Sequence, residues 1–160
     1  MTIAEAVAFV ARLRAAGKTI VFTNGVFDLL HPGHVRYLQH ARALGDALIV
    51  GVNSDRSVRA NKGPSRPITP EDERAEVLAA LACVDAIVIF EEPTAETLVA
   101  ALRPEIYVKG SDYAEADLPE ARIVRRYGGE VRLLPAIPGI STTALIARIR
   151  GRDAAASDGR

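Results

Sequence analysis

Two histidines, three positions apart, are the residues of this chain best placed to do chemistry. They close the stretch Thr23-Asn24-Gly25-Val26-Phe27-Asp28-Leu29-Leu30-His31-Pro32-Gly33-His34. A β-branched run, Thr19-Ile20-Val21-Phe22, leads in and reads as a strand, while Val35, Leu38, Ala41 and Leu44 follow at helical spacing. Pro32 suits a first helical position, because it needs no N–H partner there and its φ is already helical. His31 and His34 then lie about one turn apart at a helix N-terminus. That end carries backbone N–H groups and a partial positive charge, so it attracts phosphate. Gly25 lets a ligand approach the chain with no Cβ in the way. Singly, such a glycine is usually a turn residue, and a lone histidine near a helix start is usually a cap or a surface residue. The joint pattern, with the strand before it and the helix after it, reads as a polyphosphate site.

Further candidates lie downstream. Lys62 falls in a breaker-rich loop, residues 61–68, and can neutralise phosphate oxygens as charge shifts in a transition state. Arg56 and Arg59 read as solvated surface, as do His40 and the scattered glutamates. Arg74 precedes Val77 and Leu78 at the top of an apolar stripe, where it should meet either an anion or a structural ion-pair partner. Lys109-Gly110-Ser111-Asp112 ends a strand, and Ser141-Thr142-Thr143 opens a helix whose hydroxyls could cap it, hold phosphate, or do both. Cys83, the one cysteine, reads as a buried small hydrophobe. There is neither a Walker A sequence nor a GxGxxG after the first strand, and no nucleophile sits beside a base. Direct attack by one bound substrate on a nucleotide phosphate remains, with the protein supplying position and charge.

The elements that must position these residues alternate. Helical stripes are expected from Ile3 to Gly17, over 33–44, after Thr69 with Pro70 at its first position, over 94–102, over 118–127, and after Ser141 or Thr142. Strands are expected near 19–23, 47–52, 85–90, 105–108 and 130–134, the second a continuous apolar run suited to burial on both faces. This order predicts one α/β domain over 1–150, a Rossmann-like, doubly wound, five-stranded parallel sheet. Residues 151–160 read as a disordered tail. Ligands on such sheets bind outside the C-terminal strand ends. That rule selects 23–34, 53–68, 109–113 and 135–143, the stretches where the unusual residues gather.

Composition narrows the partners. The 160 residues carry 20 basic and 20 acidic side chains, a balance that argues against a general nucleic-acid binder. No apolar run approaches membrane-spanning length, and the N-terminus lacks a signal-peptide layout, so a cytoplasmic protein is expected, without membrane or nucleic-acid partners.

At these motifs the chain resembles the cytidylyltransferase-like superfamily of HxGH nucleotidyltransferases, and within it the D-glycero-β-D-manno-heptose 1-phosphate adenylyltransferases. The resemblance rests on TNGVFDLLHPGHVRYLQHARALGD, GVNSD, KGPSRPI, VKGSDY and GISTT, in that order, and covers about residues 20–150. It implies attack by a heptose 1-phosphate oxygen on the α-phosphorus of ATP, giving ADP-heptose and pyrophosphate. His31, His34 and Lys62 would be catalytic. Thr23, Asn24, Gly25, Lys109, Gly110, Asp112, Ser141, Thr142 and Thr143 would join them in binding the nucleotide, with Phe27 and Asp28 toward the sugar phosphate; Arg74 is added to the nucleotide's candidates by its place on the helix alone. Magnesium would accompany ATP, held mainly by phosphate oxygens and waters. A homodimer is implied, as are a separate heptose kinase and phosphatase upstream. Glycerol-3-phosphate cytidylyltransferases carry Arg-Thr-Glu-Gly before ISTT, where this chain has Ala136-Ile137-Pro138-Gly139. A cytidylyltransferase acting on a polyol phosphate is the alternative enzyme, and a non-catalytic nucleotide-binding module the alternative outside catalysis.

Overall fold

A computed structural model describes residues 1–111, 113–135 and 140–157, with side chains through residue 151. Five parallel strands form one sheet in the order β3-β2-β1-β4-β5. They are β1 (Ile20–Gly25), β2 (Ala47–Asn53), β3 (Ala86–Phe90), β4 (Ile106–Gly110) and β5 (Glu130–Leu134). Helices α1 (Ile3–Ala15), α2 (Pro32–Arg42), α3 (Asp55–Lys62), α4 (Glu71–Ala79), α5 (Glu96–Leu102), α6 (Pro119–Arg126) and α7 (Thr142–Ser157) alternate with them. This is the single-domain, doubly wound architecture expected from the alternation.

Side chains of successive strand residues point to opposite faces, and the core divides accordingly. Ile20, Phe22, Ile49, Val88 and Tyr107 pack with Ala6 and Val10 of α1, Leu98 and Leu102 of α5, and Val124 of α6. Val21, Leu48, Val50, Val52 and Val108 pack on the other face with Leu38 and Ala41 of α2 and Leu78 of α4. All seven residues of β2 are buried, as a continuous apolar run requires of a central strand. From β1 the chain first builds outward through β2 to β3, then returns to lay β4 on the other side of β1. The switch point therefore falls between β1 and β4, where such sheets open a ligand crevice.

The fourth and last helices differ at their boundaries from the sequence expectation, and α3 runs on to Lys62, two residues into the expected 61–68 loop. The fourth helix begins at Glu71 with Pro70 as its cap and no side-chain cap bond, so Thr69 does not cap it. The Thr69 N–H instead donates to Asp28 Oδ1 at 2.9 Å, a long-range contact that displaces the local motif. The last helix runs on to Ser157, through most of the stretch expected to be loose. Its residues Ala154-Ala155-Ala156 have high helix propensity and extend a helix already started by Ser141, whose Oγ accepts the Ala144 N–H at 3.1 Å.

Candidate active site

At the head of α2 the local sequence produces a specific geometry. His31 is the N-cap, with extended backbone, and Pro32 occupies the first turn as expected. His31 Nδ1 accepts the His34 N–H at 3.3 Å, satisfying one helix-end donor. An accepting Nδ1 puts the proton of a neutral His31 on Nε2. The two imidazoles stack face to face, centroids 3.7 Å apart and 13° from parallel. Gly33 permits this: a Cβ there would lie 2.9 Å from His31 Cε1 and Nδ1. Phe27 meets His34 edge-on at 5.3 Å, and its ring lies over Gly25, where a Cβ would stand 3.0 Å from Phe27 Cε2. Holding Phe27 there takes a left-handed backbone, φ 48°, a conformation that costs a non-glycine residue energy and persists because the ring is buried against its neighbours.

The electrostatics follow from the stack. Burial comes first, and the neighbouring His31 second, in depressing His34 to about 4, against a weaker opposing pull from the Leu29 carbonyl. Burial lowers His31 too. Both rings are therefore neutral at pH 7 and offer N–H donors without the mutual repulsion of two cations. A polyphosphate arriving beside them reverses the local field and favours protonated rings.

Around this pair lies a cavity of about 730 Å³, within the size range of small-molecule sites. Its centre is lined by Asn24, Gly25, Phe27, Asp28, His31 and His34. Lys109, Gly110, Ser141, Thr142 and Thr143 line it beyond β4 and β5; Asn53, Asn61 and Lys62 line it on the β2 side. The residues selected by the strand-end rule thus converge. Lys62 is exposed and stands at the last turn of α3, not in the loop that follows it. Lys109 Nζ donates to the Asn24 carbonyl at 2.9 Å across the switch point, with the Tyr113 ring 5.3 Å away.

Two expected contacts are absent from this lining among the described residues. Thr23 is fully buried, its Oγ1 donating to the Val108 carbonyl at 3.0 Å and lying 2.7 Å from the Tyr37 hydroxyl. It reaches the cavity only through Tyr37, which does line it. Arg74 points to the sheet end as its place on the helix required, but protein acceptors are waiting there. Its guanidinium donates to the carbonyls of Thr69, Val26 and Asn53 and to Asp55 Oδ1, at 2.6–2.9 Å. Of the two partners open to it, the ion pair is the one formed. Asp112 lies outside the described residues, as do residues 136–139.

Asp28 lines the cavity, yet its carboxylate is already engaged. Oδ1 accepts the N–H groups of Ile68 and Thr69 and Oδ2 accepts Arg66 Nε, all within 2.9 Å. Burial would raise its pKa, but the backbone donors and Arg66 together outweigh burial and hold it below the usual range. Asp28 therefore ties the first strand–helix connection to the segment before α4.

Sequence reasoning missed Tyr37, Asn61 and Glu120 as lining residues. Asn61 sat unweighed in a selected stretch, and Tyr37 lies on the α2 face between the marked apolar positions. Glu120 had been grouped with surface glutamates, and no local signal distinguishes it from an ordinary acidic residue in a first helical turn. It is only 3% exposed.

With this geometry in view, comparison with known proteins is decisive. The family model for cytidylyltransferase-like proteins matches residues 22–148, from the first strand to the last helix. The chain belongs to the cytidylyltransferase-like family. It is accordingly a nucleotidyltransferase, as the resemblance implied. It is 56% identical over 141 residues to the bifunctional protein HldE of Streptomyces coelicolor, covering 88% of this chain and 30% of that one. With the protein of the same name from Syntrophotalea carbinolica it shares 55% over 139 residues, covering 87% and 28%. The cytidylyltransferase-like chain thus spans under a third of the length of these relatives. Among solved structures, a lipopolysaccharide core biosynthesis protein from Thermoplasma volcanium aligns with a TM-score of 0.63 at 32% identity, covering 76% of this chain and 98% of that one. Among the described residues no helix is long and apolar enough to cross a membrane.

Proposed function

We propose that this domain transfers the AMP portion of ATP to D-glycero-β-D-manno-heptose 1-phosphate, giving ADP-heptose and pyrophosphate. The observation that carries the proposal is the neutral, stacked His31–His34 pair at the head of α2, opening on a cavity large enough for both substrates. The choice of sugar rests on the motif set and is supported by the similarity to a lipopolysaccharide core biosynthesis protein.

In the reaction a phosphate oxygen of the sugar phosphate attacks the α-phosphorus of ATP. A new P–O bond forms as the bond from that phosphorus to the α–β bridging oxygen breaks, and its electron pair leaves with pyrophosphate. The nucleophile is already ionised near neutral pH, so no general base is needed. His31 and His34 donate to the triphosphate as negative charge builds toward the leaving group, and Lys62 adds positive charge from the β2 side. Lys109, Gly110 and the Ser141–Thr143 turn hold the nucleotide from the opposite side. Magnesium bound with ATP would neutralise phosphate charge. The described residues include no group of three or more His, Cys, Asp or Glu side chains suited to a metal, and Asp28 is fully engaged, so phosphate oxygens and waters would be its ligands. A homodimer in the cytoplasm, supplied by a sugar kinase and a phosphatase, completes the proposal.

The test is pyrophosphate release with each of the four nucleoside triphosphates, offered with heptose 1-phosphate or glycerol 3-phosphate. ATP with heptose 1-phosphate is the expected pair. Use of CTP with glycerol 3-phosphate and none of ATP would replace this reading with a polyol-phosphate cytidylyltransferase, and binding without turnover would make the domain a nucleotide-binding module.

A further inference from the structure

One buried polar atom of the cavity wall is unaccounted for by the chemistry above. Glu120, in the first turn of α6, is 3% exposed and lines the cavity. Its Oε1 accepts the Ala95 N–H at 2.8 Å, which locks the side chain against the start of α5. Its Oε2 is buried with no hydrogen-bond partner among the described residues. A buried oxygen left unsatisfied is costly, and in native proteins such an atom usually serves a ligand or water. The same lining holds Asn53 at the end of β2, Asn61 on α3 and Thr94 before α5, whose side chains donate to Ser57 Oγ, the Pro93 carbonyl and Glu96 Oε2 respectively. The basic residues of the lining are engaged elsewhere or lie on the β2 side: Lys109 reaches toward Asn24, Arg66 pairs with Asp28, and Lys62 follows Asn61 on α3. At Glu120 Oε2 a phosphate would bring only another acceptor, whereas a hydroxyl would supply the donor this oxygen lacks. Tyr107 connects this wall to the switch point. Its hydroxyl donates to Asn24 Oδ1 at 2.8 Å, and burial first, then the nearby Glu120, push its pKa upward and keep it a donor.

We infer that Glu120 accepts a hydroxyl of the acceptor sugar, making the wall formed by Glu120, Asn53, Asn61 and Thr94 the subsite that selects a polyhydroxylated acceptor. This rests on the sugar-phosphate reading above and adds the residue that recognises the sugar. The sugar ring then lies against Glu120 at the start of α6, near Tyr107 of β4, while the nucleotide phosphates occupy the His31–His34 centre with Lys62 reaching them from the β2 side.

Glu120→Gln keeps an oxygen for the Ala95 N–H and replaces Oε2 with a donor of similar size. With purified wild-type chain and this variant, pyrophosphate release is measured while heptose 1-phosphate is varied at saturating ATP, then the reverse, with thermal unfolding alongside. The expected result is a rise of about tenfold or more in KM for the sugar phosphate, as for loss of one strong hydrogen bond. KM for ATP and the unfolding temperature should stay near wild type. An unchanged KM for the sugar phosphate, or equal losses for both substrates, would overturn the subsite and leave the adenylyltransferase intact. A wild-type chain that turns over no sugar 1-phosphate would remove the parent reading, and the subsite with it.

Discussion

His34 stands where three influences meet: the His31 ring on one face, the edge of Phe27 against it, and burial that brings its pKa to about 4. A neutral ring in that position is worth little to a bound ground-state nucleotide and much to the charge that develops as pyrophosphate leaves. His34→Ala should therefore lower kcat by about 10²–10³-fold, the usual loss for one preorganised donor, with KM for ATP changed far less. Steady-state kinetics decide it, and comparable losses in kcat and affinity would contradict a transition-state role. Arg74 makes the opposite prediction. Removing its guanidinium strands Asp55 Oδ1 and three buried carbonyls, so Arg74→Met should cost about 3 kcal/mol in urea unfolding, while KM for ATP stays within about twofold. Normal stability with a large rise in KM would return Arg74 to the nucleotide.

At the scale of elements, the first turn of α2 works only because residue 33 has no side chain. In Gly33→Ala the new Cβ would press on the His31 ring at 2.9 Å, and an imidazole swings away more cheaply than a backbone moves. Alanine also suits a helix better than glycine. The expected outcome is a roughly tenfold or greater loss of kcat with an unfolding temperature within about 2 °C of wild type, because the damage falls on ring geometry and not on packing. A variant with full activity would show that the stacking is dispensable. This element was legible in the sequence because all its signals are local: a β-branched run, a proline at the first helical position, and apolar residues at helical spacing. The same holds for β2, whose unbroken apolar run can only be a strand covered on both sides. Legibility ended where a partner lies far along the chain. Thr69 looked like a cap until Asp28, forty-one positions earlier, took its N–H. Glu120 looked like a solvated first-turn acid until α5 closed over it through Ala95. Thr23 sits in a stretch rightly assigned to the cavity's end of the sheet and Arg74 points there as its helical spacing required, but which partners each side chain meets depends on neighbours that no local spacing encodes.

For the whole molecule, the site's electrostatics should appear in the pH dependence of folding. His31 and His34 have folded pKa values below their unfolded value of 6.5, His34 at about 4. Between those limits the unfolded chain binds more protons than the folded one, so stability rises with pH there and is lost as pH falls from about 6.5 toward 4. For His34 this amounts to about 1–2 kcal/mol once solvent screening at its open edge is allowed for, or a few degrees in unfolding temperature. Asp28 is lowered as well, but as a carboxylate: it is held below 3.8, so its contribution is complete above that value and disappears only at lower pH. The two windows are thus separate. Thermal unfolding recorded from pH 7.5 down to about 5.5 should show a gradual decline ahead of most carboxylate protonation, and His34→Gln, which cannot accept that proton, should reduce the slope that His31 shares. A stability curve level across about pH 6.5–5.5, unchanged by His34→Gln, would mean that the imidazoles at the head of α2 are not held neutral by the fold, and the electrostatic basis of the catalytic proposal would fall with it.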